Sequence, residues 1–262
     1  MSRLREILTP RGIQLVQHGT LISDVSRRPG ATHGFFDLLA ALIRLFGEQR
    51  RIALLGFAGG GLIAPVRAMG LTDMIHAVDV SLDGFRLFRR LCLPWGEPVS
   101  WHQADAFAWL RDRPGAFDLV VDDLSVPGPR DILKPEATWA ELPGLMHRAL
   151  VPGGIAVFNL LKPQVGNWTE GLRRVATPFP HVLEIQTDDY ENRVLVGAAT
   201  PLDARAVSRD MRRHLRSVRS RIASRFSVRQ ASRLVSVSPA MLPSPAHESR
   251  TPSLRSTGRF HS

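Results

Sequence analysis

The chain has 262 residues, 44% of them apolar, which is enough to bury a full globular core. Its single cysteine, Cys92, excludes an internal disulfide framework and fits a reducing compartment. The net charge of +10 is concentrated: residues 1–202 hold 21 basic and 21 acidic side chains, and residues 203–262 hold 13 arginines against three acids.

The N-terminus, MSRLREILTPRG, lacks the apolar core of a signal peptide. The longest apolar stretch, FFDLLAALIRLF (35–46), is interrupted by Asp37 and Arg44. It is also shorter than the roughly 20 residues that cross a bilayer. A soluble, cytoplasmic protein is expected. Lys134 and Lys162 are the only lysines beside 32 arginines, a bias that a G+C-rich genome explains.

In chain order, IQLVQ (13–17) and TLISDV (20–25) flank His18-Gly19 and read as a short β-hairpin. RRPGATHG (27–34) is a loop, and residues 35–47 have a helical pattern. Strands and helices then alternate. The strands are expected at 51–57, 74–80, 99–105, 117–124 and 154–161. Helices are expected after the glycine loop and at 83–92, 106–112, 136–150 (with a kink at Pro143) and 167–177. HVLEIQT (181–187) and RVLVGAA (193–199) are joined by DDYEN, too short for a crossover, so these strands are antiparallel.

The expected fold class is α/β: a doubly wound, mainly parallel, seven-stranded Rossmann-like sheet with one reversed strand. The division is an N-terminal hairpin and loop (1–34), a catalytic domain (35–202), a basic amphipathic helix (203–236) and a disordered tail (237–262). The helix is read from one apolar stripe, Val207, Met211, Leu215, Val218, Ile222 and Phe226, with arginines on the other faces. Such a helix either packs on its own domain or lies on anionic lipid or nucleic acid. The tail, rich in Ser, Pro and Arg, lacks a core-forming pattern.

The stretch LLGFAGGG ends the first parallel strand in Gly56, Gly59, Gly60 and Gly61. Glycines there allow close backbone approach to a ligand beyond the carboxyl ends of the strands. The spacing is neither GxGxxG nor a P-loop. Asp79 ends the next strand and can accept both hydroxyls of a ribose. Asp105, followed by Ala106, ends the third and can accept from an adenine amine or cap a helix. Asp122 and Asp123 end the fourth. Adjacent strand residues point to opposite faces, so only one of this pair is sure to face a ligand. Three acid-ended strands after a glycine loop point to a nucleoside site. The nine histidines show no HxxxH or HxH spacing, and no metal site is expected.

These segments resemble the class I S-adenosylmethionine-dependent methyltransferase fold. Within it, LLGFAGGG, AVDVS, QADAFAWL, FDLVVDDLSVPGP, LVPGGIAVFNLL and ENRVLVGA resemble the spermidine synthase (polyamine aminopropyltransferase) group. The resemblance covers roughly residues 13–200 and implies S-adenosylmethionine or its decarboxylated form as cofactor. It implies Gly56, Phe57, Ala58, Gly59, Gly60, Asp79, Val80, Asp105 and Ala106 around that cofactor, and Asp122 as base or substrate anchor. Asp123, Ser125 and His33 are the further substrate-site candidates, the acceptor is a small molecule such as an amine, and a homodimer is compatible with the group.

The chain departs from that group where charge matters. The group's loop acid falls on Gly59, the second acid of its DxxDPxGP-like motif on Ser125, and its Tyr-His-Glu helix start on Thr32, His33 and Gly34. A dicationic acceptor needs paired acids, and the loop acid excludes the carboxylate of intact S-adenosylmethionine. Methyl transfer is therefore favoured slightly over aminopropyl transfer. A non-catalytic nucleoside-binding relic with a basic interaction tail is the alternative of a different class.

Overall fold

In the computed structural model, which describes residues 4–231, the chain begins with three strands: β1 (Arg5–Thr9), β2 (Gly12–Gln17) and β3 (Thr20–Ser26). They form a separate antiparallel sheet in sequence order, so the expected hairpin gains a strand. β1 carries no apolar alternation, and its first four residues are exposed. It forms by pairing along β2 rather than by burying a face.

The next helix, α1 (Phe35–Gly47), follows the predicted span. Then come β4 (Ile52–Leu55), α2 (Ile63–Ala68), β5 (Ile75–Asp79), α3 (Leu82–Gly96), β6 (Val99–Gln103), α4 (Ala106–Arg111) and β7 (Phe117–Asp122). A two-stranded ribbon, β8 (Val126–Pro127) and β9 (Ile132–Leu133), precedes α5 (Ala137–Ala140) and α6 (Leu142–Ala149). The expected kink is a full break before Leu142, and Pro143 lies in the first turn of the second helix, where a missing N–H costs nothing. β10 (Leu150–Leu160), α7 (Trp168–Ala176), β11 (His181–Thr187), β12 (Arg193–Ala198), α8 (Ala204–Ser217) and β13 (Phe226–Gln230) complete the described chain.

The main sheet has eight strands in the order β13-β11-β12-β10-β7-β4-β5-β6, one more than expected. β4 is buried at all four positions, as a central parallel strand covered on both faces must be. β12 runs antiparallel to β10 and β11, and β13 antiparallel to β11, so two strands are reversed rather than one. One face is covered by α1, α2, α3 and α8, the other by α4, α6 and α7. Among the described residues no helix is long and apolar enough to cross a membrane.

The C-terminal segment corrects the sequence reading. The helix ends at Ser217, Arg219 turns left-handed (φ 56°), residues 221–224 form a 3-10 turn, and Phe226 begins a strand. The spacing of four from Val218 to Phe226 is met by a turn and a strand that return to the same core. The stripe does pack on its own protein: Val207, Met211, Leu215, Ile222 and Phe226 are all buried. Each contributes about 1.5–3 kcal/mol of apolar burial. Several arginines are used internally: Arg212 lies 4.7 Å from the Phe226 ring centroid, and Arg225 and Arg229 pair with Asp189 and Glu184. The tail expected to be disordered, 237–262, lies outside the described residues.

Asp37, fully buried at the start of α1, ties this segment down. It accepts from the Thr32 N–H and hydroxyl, from the His33 N–H and from the Ser220 hydroxyl. Ser220→Ala is expected to lower stability by about 1.5–3 kcal/mol, the worth of a hydrogen bond to a charged group. Urea unfolding monitored by circular dichroism reads this, and an unchanged midpoint would remove Ser220 from the anchor.

Candidate active site

Strand order reverses between β4 and β7, which is where open α/β sheets bind ligands. The Asp123 N–H donates to the Leu55 carbonyl (2.8 Å) and the Gly56 N–H to the Val78 carbonyl (2.9 Å). Gly56 is left-handed (φ 84°), and a Cβ there would stand 2.6 Å from the Asp123 carbonyl oxygen. The glycine loop and Asp123 thus meet backbone to backbone.

Much of the loop's glycine content serves protein packing. A Cβ on Gly59 would meet Val25 at 2.5 Å and Leu15 at 3.0 Å, and one on Gly60 would meet Phe57 and Phe88. The Gly61 N–H donates to the Ser23 hydroxyl (2.9 Å), so β3 lies against the loop. Gly84 on α3 presses on the other side, where a Cβ would fall 1.3 Å from the Ala58 carbonyl oxygen. Ala58 itself is left-handed (φ 46°).

Asp79 fixes this loop. Its Oδ2 accepts from the Phe57 and Ala58 N–H groups (3.0 and 2.9 Å) and its Oδ1 from the Ser81 N–H (3.0 Å). A carboxylate has about four acceptor sites, so three such bonds leave capacity for a ribose hydroxyl. Val80, directly after it, is 67% exposed and offers an apolar flank. Asp105 is exposed and its Oδ1 caps α4 through the Ala108 N–H (2.9 Å), while Ala106 is buried beneath it. These residues fit a nucleoside: acceptors for hydroxyl and amine beside an apolar surface.

The two acids ending β7 have different surroundings. Asp122 is fully buried, and both its oxygens lie 2.9 Å from Nζ of Lys134, with the Leu124 N–H on Oδ1. Burial pushes the Asp122 carboxyl up, and the Lys134 ammonium opposes that push. Asp122, the expected base or anchor, is thus sealed from solvent and paired with Lys134. Asp123 is half-buried and accepts from Asn159 Nδ2 (2.7 Å), and Asn159 Oδ1 accepts from Asn192 (2.9 Å). Burial pushes the Asp123 carboxyl up to about 6, against the Asn159 hydrogen bond.

Of the remaining expected residues, His33 is exposed and left-handed (φ 60°) and Ser125 is exposed on the loop after β7. Asp24 of β3, in the neighbouring sheet, is buried against Arg11 (2.9 Å). The tip of the β2–β3 hairpin reaches over the post-β7 loop, where the Thr20 hydroxyl donates to Asp131 (2.9 Å). Sequence reasoning missed Lys134, Asn159 and Asn192. Their signals were the rarity of lysine and a lone amide inside the apolar run GIAVFNLL. Among the described residues no group of three or more His, Cys, Asp or Glu side chains is placed to hold a metal ion.

No protein-family model and no curated protein sequence matches the chain. Solved structures do. A probable spermidine synthase from Corynebacterium glutamicum is similar at TM-score 0.66 and 16% identity, over 98% of this chain and 96% of that one. A spermidine synthase in complex with the transition state analogue AdoDATO is similar at TM-score 0.54 and 12% identity, over 76% and 71%. Human methyltransferase-like protein 13, in complex with SAH, is similar at TM-score 0.53 and 17% identity, over 71% and 89%. At such identities the likeness is one of architecture. The chain thus has the class I S-adenosylmethionine-dependent methyltransferase fold, an architecture it shares with these spermidine synthases.

Proposed function

We propose that the protein is an S-adenosylmethionine-dependent methyltransferase acting on a small molecule, with Asp123 as its base. The observation that carries this is the position of Asp123: half-buried, at the switch point, beside the glycine loop and oriented by Asn159. Asp79 would hold the ribose, with Gly56, Phe57 and Ala58 shaping the loop and Val80, Asp105 and Ala106 flanking the adenine. The bound cofactor supplies an electrophilic carbon next to a sulfonium. With the cofactor so held, Asp123 would take the proton that the acceptor loses. Such transfer rests largely on positioning, with one base contributing roughly 10²–10⁴-fold.

Two observations favour the carboxylated cofactor. The loop position of the group's acid, Gly59, faces Leu15 and Val25, so no acid excludes a carboxylate there. Asp122, neutralised by Lys134, cannot join Asp123 in binding a dication. Calorimetry with S-adenosylmethionine and its decarboxylated form is expected to show at least tenfold preference for the former, about 1.4 kcal/mol. Asp79→Ala should abolish binding of both. Preference for the decarboxylated form would make the protein an aminopropyltransferase, and binding of neither would end the transferase reading.

A pH dependence follows from Asp123. Its carboxyl is neutral below about 6 and anionic above. A sulfonium gains from the anion and a neutral thioether does not. The affinity ratio of S-adenosylmethionine to S-adenosylhomocysteine is therefore expected to rise as pH increases from 5 to 7 through this value. Asp123→Asn should flatten that rise. A ratio that stays constant in the wild type would place Asp123 away from the sulfonium.

A further inference from the structure

A cavity of about 340 Å³ opens at the carboxyl end of β10 and β11, lined by Lys162, Trp168, Gln186, Thr187, Tyr190, Glu191, Asn192 and Arg193. That size suits a small organic molecule. It borders the proposed base: Asn192 is both a wall of the cavity and the end of the chain Asp123–Asn159–Asn192. Its walls come from two separated stretches of chain, 162–168 and 186–193.

The walls define a chemistry. Arg193 lies 4.7 Å from the Trp168 ring centroid, which fixes a guanidinium over an aromatic face. Tyr190, the chain's sole tyrosine, packs edge-on against Phe35 with centroids 5.5 Å apart, so a second ring is held from the side of α1. Lys162 is exposed on the same rim. Two cations and one acid, Glu191, face the space. Glu184 is buried behind it and shared between Arg193 (2.9 Å) and Arg229 (3.0 Å), so it does not neutralise both.

The lysines sharpen the reading. A chain with 32 arginines keeps two lysines, one sealed on Asp122 and the other on this cavity. At Asp122 the compact ammonium meets both carboxylate oxygens at 2.9 Å in a buried position. The first lysine cancels an acid that a cationic acceptor would need, and the second adds a cation where such an acceptor would sit.

We infer that this cavity takes a planar or aromatic small molecule bearing a carboxylate, held by Lys162 and Arg193 with its ring against Trp168 and Tyr190, and excludes polyamines. The inference rests on the transferase reading for its role as acceptor, but not for binding itself. The test uses two probes of like size and opposite charge, 4-hydroxyphenylacetate and tyramine, with putrescine as a third. Titrations are followed by calorimetry and by Trp168 fluorescence change against a Trp168→Phe control, with S-adenosylhomocysteine present and absent. The full chain is used throughout.

The expected result is at least tenfold tighter binding of 4-hydroxyphenylacetate than of tyramine, with no measurable putrescine binding. Lys162→Glu, a surface change, should erase or invert that preference and leave S-adenosylhomocysteine affinity unchanged. Tighter binding of tyramine or putrescine overturns the inference, as does binding of neither ring. A preference that survives Lys162→Glu overturns it too. Failure of S-adenosylhomocysteine to bind, with the anion preference intact, would instead remove the transferase reading and leave an anion-binding cavity.

Discussion

Replacing Lys134 by Met is expected to destabilise the protein by about 3–5 kcal/mol, because it strands the Asp122 carboxylate in a fully buried position. The ammonium is the sole charged partner of that carboxylate among the described residues. Met matches the length of the lysine stem, so the loss is electrostatic rather than a packing defect. The double change Asp122→Asn with Lys134→Met should recover more than half of the loss, since Asn still accepts from the Leu124 N–H and no charge remains buried. Urea unfolding of the four forms gives the coupling directly. The same double variant separates the two acids of β7: it should bind S-adenosylmethionine as the wild type does. A weakening beyond tenfold would return Asp122 to the site.

Gly84→Ala should abolish nucleoside binding, with affinity for S-adenosylhomocysteine reduced by more than about a hundredfold. The added methyl would fall 1.3 Å from the Ala58 carbonyl oxygen, a backbone atom that no side-chain rotation can move. The loop must shift, and the two N–H groups that grip Asp79 shift with it. Overpacking of this kind costs about 1–3 kcal/mol of stability as well. Gly144→Ala on α6 is the matched control, because nothing lies within 4 Å of its added Cβ. It should leave binding unchanged and stabilise the helix by up to about 1 kcal/mol. Retained binding in Gly84→Ala would mean that the ligand does not use the 56–61 loop.

The parallel core was legible because its strands are short apolar runs and its helices repeat with helical period. Ile52–Leu55 and Phe35–Gly47 carry their element type in their own composition. Two features were illegible for opposite reasons. β1 has no buried face, so nothing in Arg-Glu-Ile-Leu-Thr announces a strand. The 218–226 stretch has a pattern that two structures satisfy, and a left-handed Arg219 decides between them. At the site, alternation required that Asp122 and Asp123 face apart, yet it could not say which one faces inward. That choice is made by Lys134, twelve residues away in sequence, which closes on Asp122. Likewise the glycine loop was recognisable as a loop. That Gly59, Gly60 and Gly84 make room for neighbouring protein was not, because the neighbours, Val25, Phe88 and Ala58, come from other elements.

The Ser220–Asp37 contact joins residues 183 positions apart. While the chain is being made, the sheet can assemble through β12, but its last strand and the clasp on α1 must wait until residue 230 has left the ribosome. At a synthesis rate of about 5–20 residues per second the unfinished domain persists for seconds with β11 as an open edge. β11 is buried from Val182 to Ile185, where Glu184 pairs with Arg229 of β13, and without β13 its open edge is a template for pairing between chains. Synthesis halted before β13 would thus yield a chain with the glycine loop and Asp123 in place that is short-lived through aggregation. The arginine-rich segment, whatever else it meets, acts first as the closing piece of the molecule's own assembly.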